Sequence, residues 1–208
     1  MTKGLFISVE GIDGAGKSTH VNFIREYLES YGKEVITTRE PGGTELGEQI
    51  RNLLLHSDNM HKNTELLLMF ASRQELLDKI LCPNLENGVC VIADRYVDAS
   101  LAYQGAGRGL GLQKVYQVMN WLEPVLLPDL TFLFNVPLSE ALFRVAKKKN
   151  KDRIEHESVD FFTRVQDAYL SIAKEESQRV KVISTCQTKA KTRSEIIRHL
   201  DYLLAKHK

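Results

Sequence analysis

A glycine-rich motif with phosphate-binding chemistry lies at positions 11–19 and reads GIDGAGKST. It follows an apolar segment and satisfies the pattern G-x-x-x-x-G-K-[ST], whose glycines let backbone N–H groups turn toward phosphate oxygens. Lys17 is expected to reach the bridging phosphates and Ser18 to ligate magnesium, while the start of the following helix favours an anion. The motif predicts a nucleoside triphosphate site formed by Gly11, Ile12, Asp13, Gly14, Ala15, Gly16, Lys17, Ser18 and Thr19.

Charged residues also follow two other β-rich segments, where each segment ends. Asp94 and Arg95 follow one of them; Arg39 ends the other, and Arg51 lies on the helix that comes after a Pro-Gly-Gly turn. The carboxyl ends of parallel strands form the edge of a sheet at which ligands bind. Asp94 is therefore a candidate to hold magnesium through water, and Arg95 is a candidate to contact a phosphate.

The number of cations expected at this edge exceeds what one triphosphate needs. Arginines that converge from separate elements are costly unless an anion lies among them. Because phosphoryl transfer depends on positioning and charge neutralisation, a second phosphorylated substrate and a phosphoryl transferase are predicted. The same phosphate-binding motif, the P-loop, also occurs in other classes of protein. A nucleotide or deoxynucleoside kinase and an ATPase that acts as a switch remain alternatives. The cations are Lys17, Arg39, Arg51, Arg95 and the basic segment around Lys147.

The elements that must position these residues alternate along the chain, which predicts an α/β fold with a parallel sheet covered by helices. The β-rich segments are Leu5–Val9, Glu34–Thr38, Val89–Ala93, Leu130–Val136 and Val180–Ser184. The helix after the motif should end at Gly32, and a long helix should run from an N-cap at Thr64 to a stop at Pro83. Further helices are expected over 46–55, 112–122, 139–147, 158–176 and 192–205.

Composition narrows the class of protein. A chain of 208 residues with 43% hydrophobic content predicts a single domain over residues 1–208. Its 28 basic and 27 acidic residues give a net charge of +1, so no nucleic-acid partner is expected. Three widely spaced cysteines favour free thiols in a reducing compartment, and no apolar segment approaches the ~20 residues of a membrane span. We expect a cytoplasmic protein without a membrane partner.

Six sequence blocks, in order along nearly the whole chain, resemble bacterial thymidylate kinases. They are the motif at 11–19, TREPGGTELGEQIR at 38–51, LLLMFASRQ at 66–74, DRYVDASLAYQGAGRGLG at 94–111, PDLTFLFNV at 128–136 and DRIEHESVDFFTRVQDAYL at 152–170. The resemblance implies a three-layer P-loop kinase fold with a five-stranded parallel sheet flanked by helices. It also implies transfer of the γ-phosphate of ATP to dTMP, with Mg²⁺, in a homodimer.

The resemblance assigns the acceptor site residue by residue. Arg39 and Arg95 would bind the dTMP phosphate with Arg51 and Glu40 nearby, and Asp13 would lie at the sugar 3′-hydroxyl. Arg73 would donate to the pyrimidine O4. The base is expected to stack on Phe70, with Met69 as the other candidate. The residues lining base and sugar would be Ser100, Tyr103 and Gln104.

The basic segment RVAKKKNKDRIEHE at 144–157 resembles the lid that closes over ATP. Eukaryotic-type relatives carry a catalytic arginine inside the phosphate loop, where this chain has Gly14 and Ala15. The lid should therefore supply that charge, and its candidates are Arg144, Lys148 and Arg153. Arg153 is preferred and Lys148 comes second, while Arg144 is assigned to ATP. The implied catalytic set is Lys17, Asp13, Arg95, Arg153 and Lys148.

Overall fold

Five parallel strands form the centre of the protein in the computed structural model, which describes residues 3–207. The strands are β1 (Phe6–Glu10), β2 (Val35–Arg39), β3 (Cys90–Asp94), β4 (Leu130–Asn135) and β5 (Val180–Ser184). They lie in the order β2-β3-β1-β4-β5, with Ser8 of β1 opposite Ala93 of β3 and Thr131 of β4. Each predicted strand is confirmed to within one residue at either end.

Nine α-helices and two π-helical turns connect and cover these strands within residues 3–207. All residues of β1 and all but the last of β4 are buried, so both faces of the sheet are covered, as in a three-layer α/β fold. No described helix combines the length and the apolar character needed to cross a membrane. The helices are α1 (Lys17–Ser30), α2 (Glu45–His56), α3 (Lys62–Leu76), α4 (Cys82–Glu86), α5 (Val97–Ser100), α6 (Leu112–Met119), α7 (Leu138–Ala146), α8 (Val159–Glu175) and α9 (Lys189–Lys206); the π-helical turns span Leu77–Leu81 and Leu101–Gly107.

The end of α1 is set by Gly32, which confirms the predicted helix stop. Gly32 has φ 72°, and its N–H donates to Glu29 O at 2.9 Å. The next residue, Lys33, donates its N–H to Leu28 O at 3.2 Å. These two bonds form a Schellman motif, which needs a left-handed residue that glycine supplies without steric cost.

The predicted ends of α3 are wrong at both sides. The helix starts at Lys62, where the imidazole of His61 and not the hydroxyl of Thr64 caps the first turn, accepting from Asn63 N at 3.3 Å. Helical backbone also continues past Pro83. A π-helical turn follows α3 directly and passes without a break into α4. Pro83 then lies in the first turn of α4, where a missing N–H donor is tolerated.

The segment from 97 to 107 is helical and lies outside the helices that the sequence predicts. Helix α5 passes directly into the second π-helical turn, which packs against α8. A Cβ at Gly107 would lie 2.7 Å from the ring of Phe161, so glycine permits this close approach. The packing matters for function, since this segment carries Ser100, Tyr103 and Gln104.

Candidate active site

The phosphate loop joins β1 to α1 and bends sharply inward. Gly11, Gly14 and Gly16 have φ values of 130°, 83° and 92°, a region that favours glycine. A Cβ at Gly11 would lie 2.4 Å from Phe134 O, so the loop also packs closely on β4. The amine of Lys17 is buried and donates to Gly11 O at 2.9 Å, which leaves it inside the loop. Desolvation, followed by the charge of Arg95, lowers the pKa of Lys17.

Arg95 links β3 to the phosphate loop through a strained backbone. Its φ of 72° is uncommon for a residue with a side chain, and such strain often occurs at functional sites. The guanidinium donates to Gly11 O and to the Asp13 carboxylate, both at 3.0 Å, and lies 4.9 Å from the ring centre of Tyr103. Although burial opposes it, the charges of Arg95 and Lys17 hold the pKa of Asp13 well below its usual range.

Two adjoining cavities meet at these residues. The inner cavity is bounded by the base-side residues Met69, Tyr103 and Gln104, and the outer one by the phosphate loop, Arg39, Asp94 and Arg144. Arg39 and Arg144 therefore lie on the loop side, where Arg144 donates to Gly14 O at 2.8 Å. A common boundary between two compartments suits a reaction that brings two phosphate groups together. Five residues line both cavities: Asp13, Glu40, Arg51, Arg95 and Lys148.

A fully buried ion pair joins Arg73 of α3 to Glu40, which lines both cavities. Arg73 and Glu40 are 0% and 2% exposed, and Arg73 Nε lies 2.8 Å from a Glu40 oxygen. Arg73 also donates to Ser100 Oγ at 3.0 Å and to Tyr96 O at 3.1 Å. Burial raises the pKa of Glu40, although Arg73 acts in the opposite direction. Within residues 3–207, Arg73 Nη1 has no hydrogen-bond partner, which is unusual for a buried donor.

Met69, and not Phe70, lines the inner cavity. Phe70 is 4% exposed, and its ring centre lies 4.6 Å from the guanidinium carbon of Arg73. Both residues share a side of α3 with Arg73, but one step along the helix rotates the side chain by ~100°. The ring of Phe70 therefore packs on Arg73, and Met69 lines the cavity.

Asp94 and Ser18 fit a magnesium ion that retains water. Asp94 Oδ1 is buried and accepts no hydrogen bond from any residue in the described part of the chain, and both side chains line the outer cavity. Oxygen ligands, few in number and close to substrate phosphates, are what Mg²⁺ prefers. No group of three or more His, Cys, Asp or Glu side chains among residues 3–207 offers a full protein cage.

The lid candidates have different surroundings. Arg153 contacts α2 and α3, since its Nε donates to Leu54 O at 3.0 Å and its Nη2 lies 2.8 Å from a Glu65 oxygen. It lines only the inner cavity. Lys148 forms an ion pair with Glu155 and lines both cavities. Of the two residues, only Lys148 therefore lies at the boundary between the cavities.

Two acidic residues of the site were not predicted from the sequence. Glu10 ends β1 and accepts from Tyr96 N and Tyr169 Oη, both at 2.7 Å; burial and the nearby Asp98 raise the pKa of Glu10 to about 8. A glutamate at the end of an apolar strand was its only sequence signal. Glu65 had none, because its partners are distant along the chain.

The fold and the paired cavities define the class of protein: a P-loop kinase that acts on nucleotides. Residues 9–196 match the family model described as Thymidylate kinase. Thymidylate kinases of Nitrosomonas europaea and Thiobacillus denitrificans are 47% and 48% identical over 94% and 96% of this chain, which covers 92% and 98% of their lengths. A solved thymidylate kinase from Ehrlichia chaffeensis, 34% identical, superposes with a TM-score of 0.79 over 95% of this chain and 99% of its own. The chain belongs to the thymidylate kinase family.

Proposed function

We propose that this protein transfers the γ-phosphate of ATP to dTMP, giving ADP and dTDP. The observation that carries the proposal is the pair of cavities that share Asp13, Arg51 and Arg95, one at the phosphate loop and one lined by Met69, Tyr103 and Gln104. A simple ATPase would not need the inner cavity. Membership of the thymidylate kinase family supports dTMP as the acceptor.

The donor would lie along the phosphate loop. Backbone N–H groups of residues 11–19 would bind its phosphates, Lys17 would contact the transferring group, and Arg144 would approach from the other side of Gly14. Ser18 and Asp94 would hold Mg²⁺. The ion supplies charge neutralisation for the phosphates when bound.

The acceptor would lie in the inner cavity with its phosphate toward the loop. Arg95 and Arg51 line both compartments and would bind that phosphate, with Glu40 beside them. Arg39 is 55% exposed and forms an ion pair with Glu48, so it would act from the outer rim. Asp13 would accept from the sugar 3′-hydroxyl. The base-side residues would be Arg73, whose free Nη1 suits the pyrimidine O4, together with Ser100, Tyr103, Gln104, and Met69 or Phe70.

The chain would form a single domain. Within it, the lid over residues 144–157 would close over the site. Lys148 would place its charge between donor and acceptor phosphates, where repulsion must be reduced for in-line transfer. Arg153 would hold the lid against the acceptor side. A lysine supplies charge without the bidentate geometry of arginine, so Lys148 would act as a point charge.

We also propose a homodimer, as in the family that the sequence resembles. Leu67 on α3 and Trp121 after α6 are 53% and 79% exposed, and α3 and α6 are in contact. Large apolar side chains of this kind are enriched in subunit interfaces. Sedimentation velocity tests the proposal, and a species with the mass of one chain at micromolar concentration would contradict it.

The function is tested by an acceptor comparison. Purified protein is given ATP, Mg²⁺ and one nucleoside monophosphate at a time, and ADP formation is measured. We expect the highest kcat/KM with dTMP, because Arg73 offers a donor that suits thymine O4, whereas cytosine carries an amino group at the corresponding position. Preference for AMP, GMP or CMP, or ATP turnover that does not respond to any acceptor, would contradict the proposal.

Met69→Phe tests which side chain contacts the base. Since Met69 lines the cavity, an aromatic ring there should stack on the pyrimidine and lower the KM for dTMP by about three- to tenfold. Phe70→Leu is the comparison, because it changes the packing on Arg73 and leaves the cavity lining intact. A KM for dTMP that does not change in Met69→Phe would contradict the placement of the base beside Met69.

A further inference from the structure

Glu65, in the first turn of α3, is a buried junction between segments that are distant in sequence. It is 1% exposed, and its carboxylate accepts from Gln104 Nε2 at 2.8 Å and from Arg108 Nε at 3.0 Å. Arg153 Nη2 lies 2.8 Å from the same carboxylate. Glu65 therefore contacts both the segment that carries Gln104 and the lid, and the roles assigned above involve it only as the partner of Arg153.

The carboxylate determines the orientation of the Gln104 amide. A carboxylate flanked by two guanidinium groups accepts hydrogen bonds and donates none, so the amide nitrogen of Gln104 must face Glu65. The amide oxygen is then the group left over. It is buried and has no partner among residues 3–207, while the Gln104 side chain lines the inner cavity. An unpaired acceptor in this position suits an N–H group of the ligand.

The bases differ at the atom that would meet this oxygen. Thymine and uracil carry a hydrogen on N3 and can donate it to Gln104 Oε1. Cytosine has a lone pair on N3, so two acceptors would face each other. An amide fixed by Glu65 would therefore discriminate against cytosine, while an amide free to rotate could present its nitrogen instead.

The second connection runs from Glu65 to the lid. Arg153 is held by Glu65 and by Leu54 O. Arg153 lies within a turn that is closed by Asp152, whose carboxylate accepts from Glu155 N at 3.0 Å. Glu155 in turn forms the ion pair with Lys148. Holding Arg153 thus holds the segment that places Lys148 between the two cavities.

We propose that Glu65 is a positioning residue for both substrates, an inference that rests on the proposed function. Through Gln104 it directs an acceptor oxygen at N3–H of the acceptor base. Through Arg153 it fixes the position of the lid, so that Lys148 lies beside the transferring phosphate. The site selects its base and positions its lid cation through one buried carboxylate.

Glu65→Gln tests the proposal with three acceptors: dTMP, dUMP and dCMP. We expect the dTMP to dCMP ratio of kcat/KM, or of inhibition constants where turnover is undetectable, to fall about three- to tenfold, the usual effect of one hydrogen bond. The dTMP to dUMP ratio should stay the same, because both bases keep N3–H. The kcat with dTMP should fall, and hydrogen exchange over residues 148–155 should become faster. An unchanged dTMP to dCMP ratio, or unchanged exchange in the lid, would overturn the corresponding half of the proposal.

Glu176→Gln is the matched control, since it removes a carboxylate that pairs with Arg179 and lines neither cavity. It should leave all three acceptor ratios unchanged. If Glu65→Gln does not fold, Glu65→Asp retracts the carboxylate by one methylene and should shift the same ratio in the same direction. Wild-type protein that fails to phosphorylate dTMP would overturn the proposed function, whereas wild-type activity with an insensitive ratio would overturn only the role of Glu65.

Discussion

Lys17→Met should reduce kcat for phosphoryl transfer by about 10²–10³-fold, the effect expected when one preorganised charge on a transferring group is lost. The Lys17 amine lies inside the phosphate loop, 2.9 Å from Gly11 O and 3.7 Å from the Asp13 carboxylate. It is held there before any substrate binds, so little reorganisation is needed in the transition state. Steady-state ADP formation with saturating dTMP measures the effect.

Lys189→Met serves as the control for the loss of a positive charge. Lys189 is exposed at the start of α9, and its side chain lines neither cavity. Its turnover should stay close to that of the wild type. Thermal unfolding of Lys17→Met shows whether the loop keeps the fold without its amine. Near-normal turnover in a folded Lys17→Met protein would contradict the placement of the donor phosphates.

Arg73→Met should lower the free energy of unfolding and weaken the binding of dTMP. The substitution leaves Glu40 buried at 2% exposure without its partner, which costs about 3–5 kcal/mol of unfolding free energy. It also removes the donor Nη1, so the KM for dTMP should rise about 10- to 100-fold, as for a hydrogen bond from a charged group. Urea denaturation and dTMP titration at fixed ATP measure the two effects separately.

The double variant Arg73→Met/Glu40→Met separates the effect of Arg73 on stability from its effect on dTMP binding. Replacing a buried ion pair by apolar side chains of similar size is often neutral, so most of the lost stability should return. The KM for dTMP should remain high, while the Kd for an ATP analogue should be nearly that of the wild type. A double variant that regains normal dTMP affinity would show that Arg73 serves the fold alone.

Short-range sequence patterns predict the strands of this protein more accurately than they predict its helix boundaries. The five strands and the end of α1 at Gly32 were predicted because apolar runs and one left-handed glycine act over a few residues. The continuation through Pro83 was missed, because a π-helical turn follows from packing and not from propensity. The helical segment at 97–107 was missed for the same reason, as Gly105 permits close contact with α6 and Gly107 with α8.

The sequence by itself determined the phosphate loop, the parallel sheet and the acceptor arginines as candidates, since each depends on residue types at fixed short spacings. Only the tertiary structure decided that Met69 lines the cavity in place of Phe70, and that Lys148 rather than Arg153 adjoins both compartments. The contacts of Glu65 are also defined only by the tertiary structure. The physical reason is range: its partners lie 39 residues or more away along the chain, at Gln104, Arg108 and Arg153. Contacts at such separations are set by how packed elements meet, and no local pattern records them.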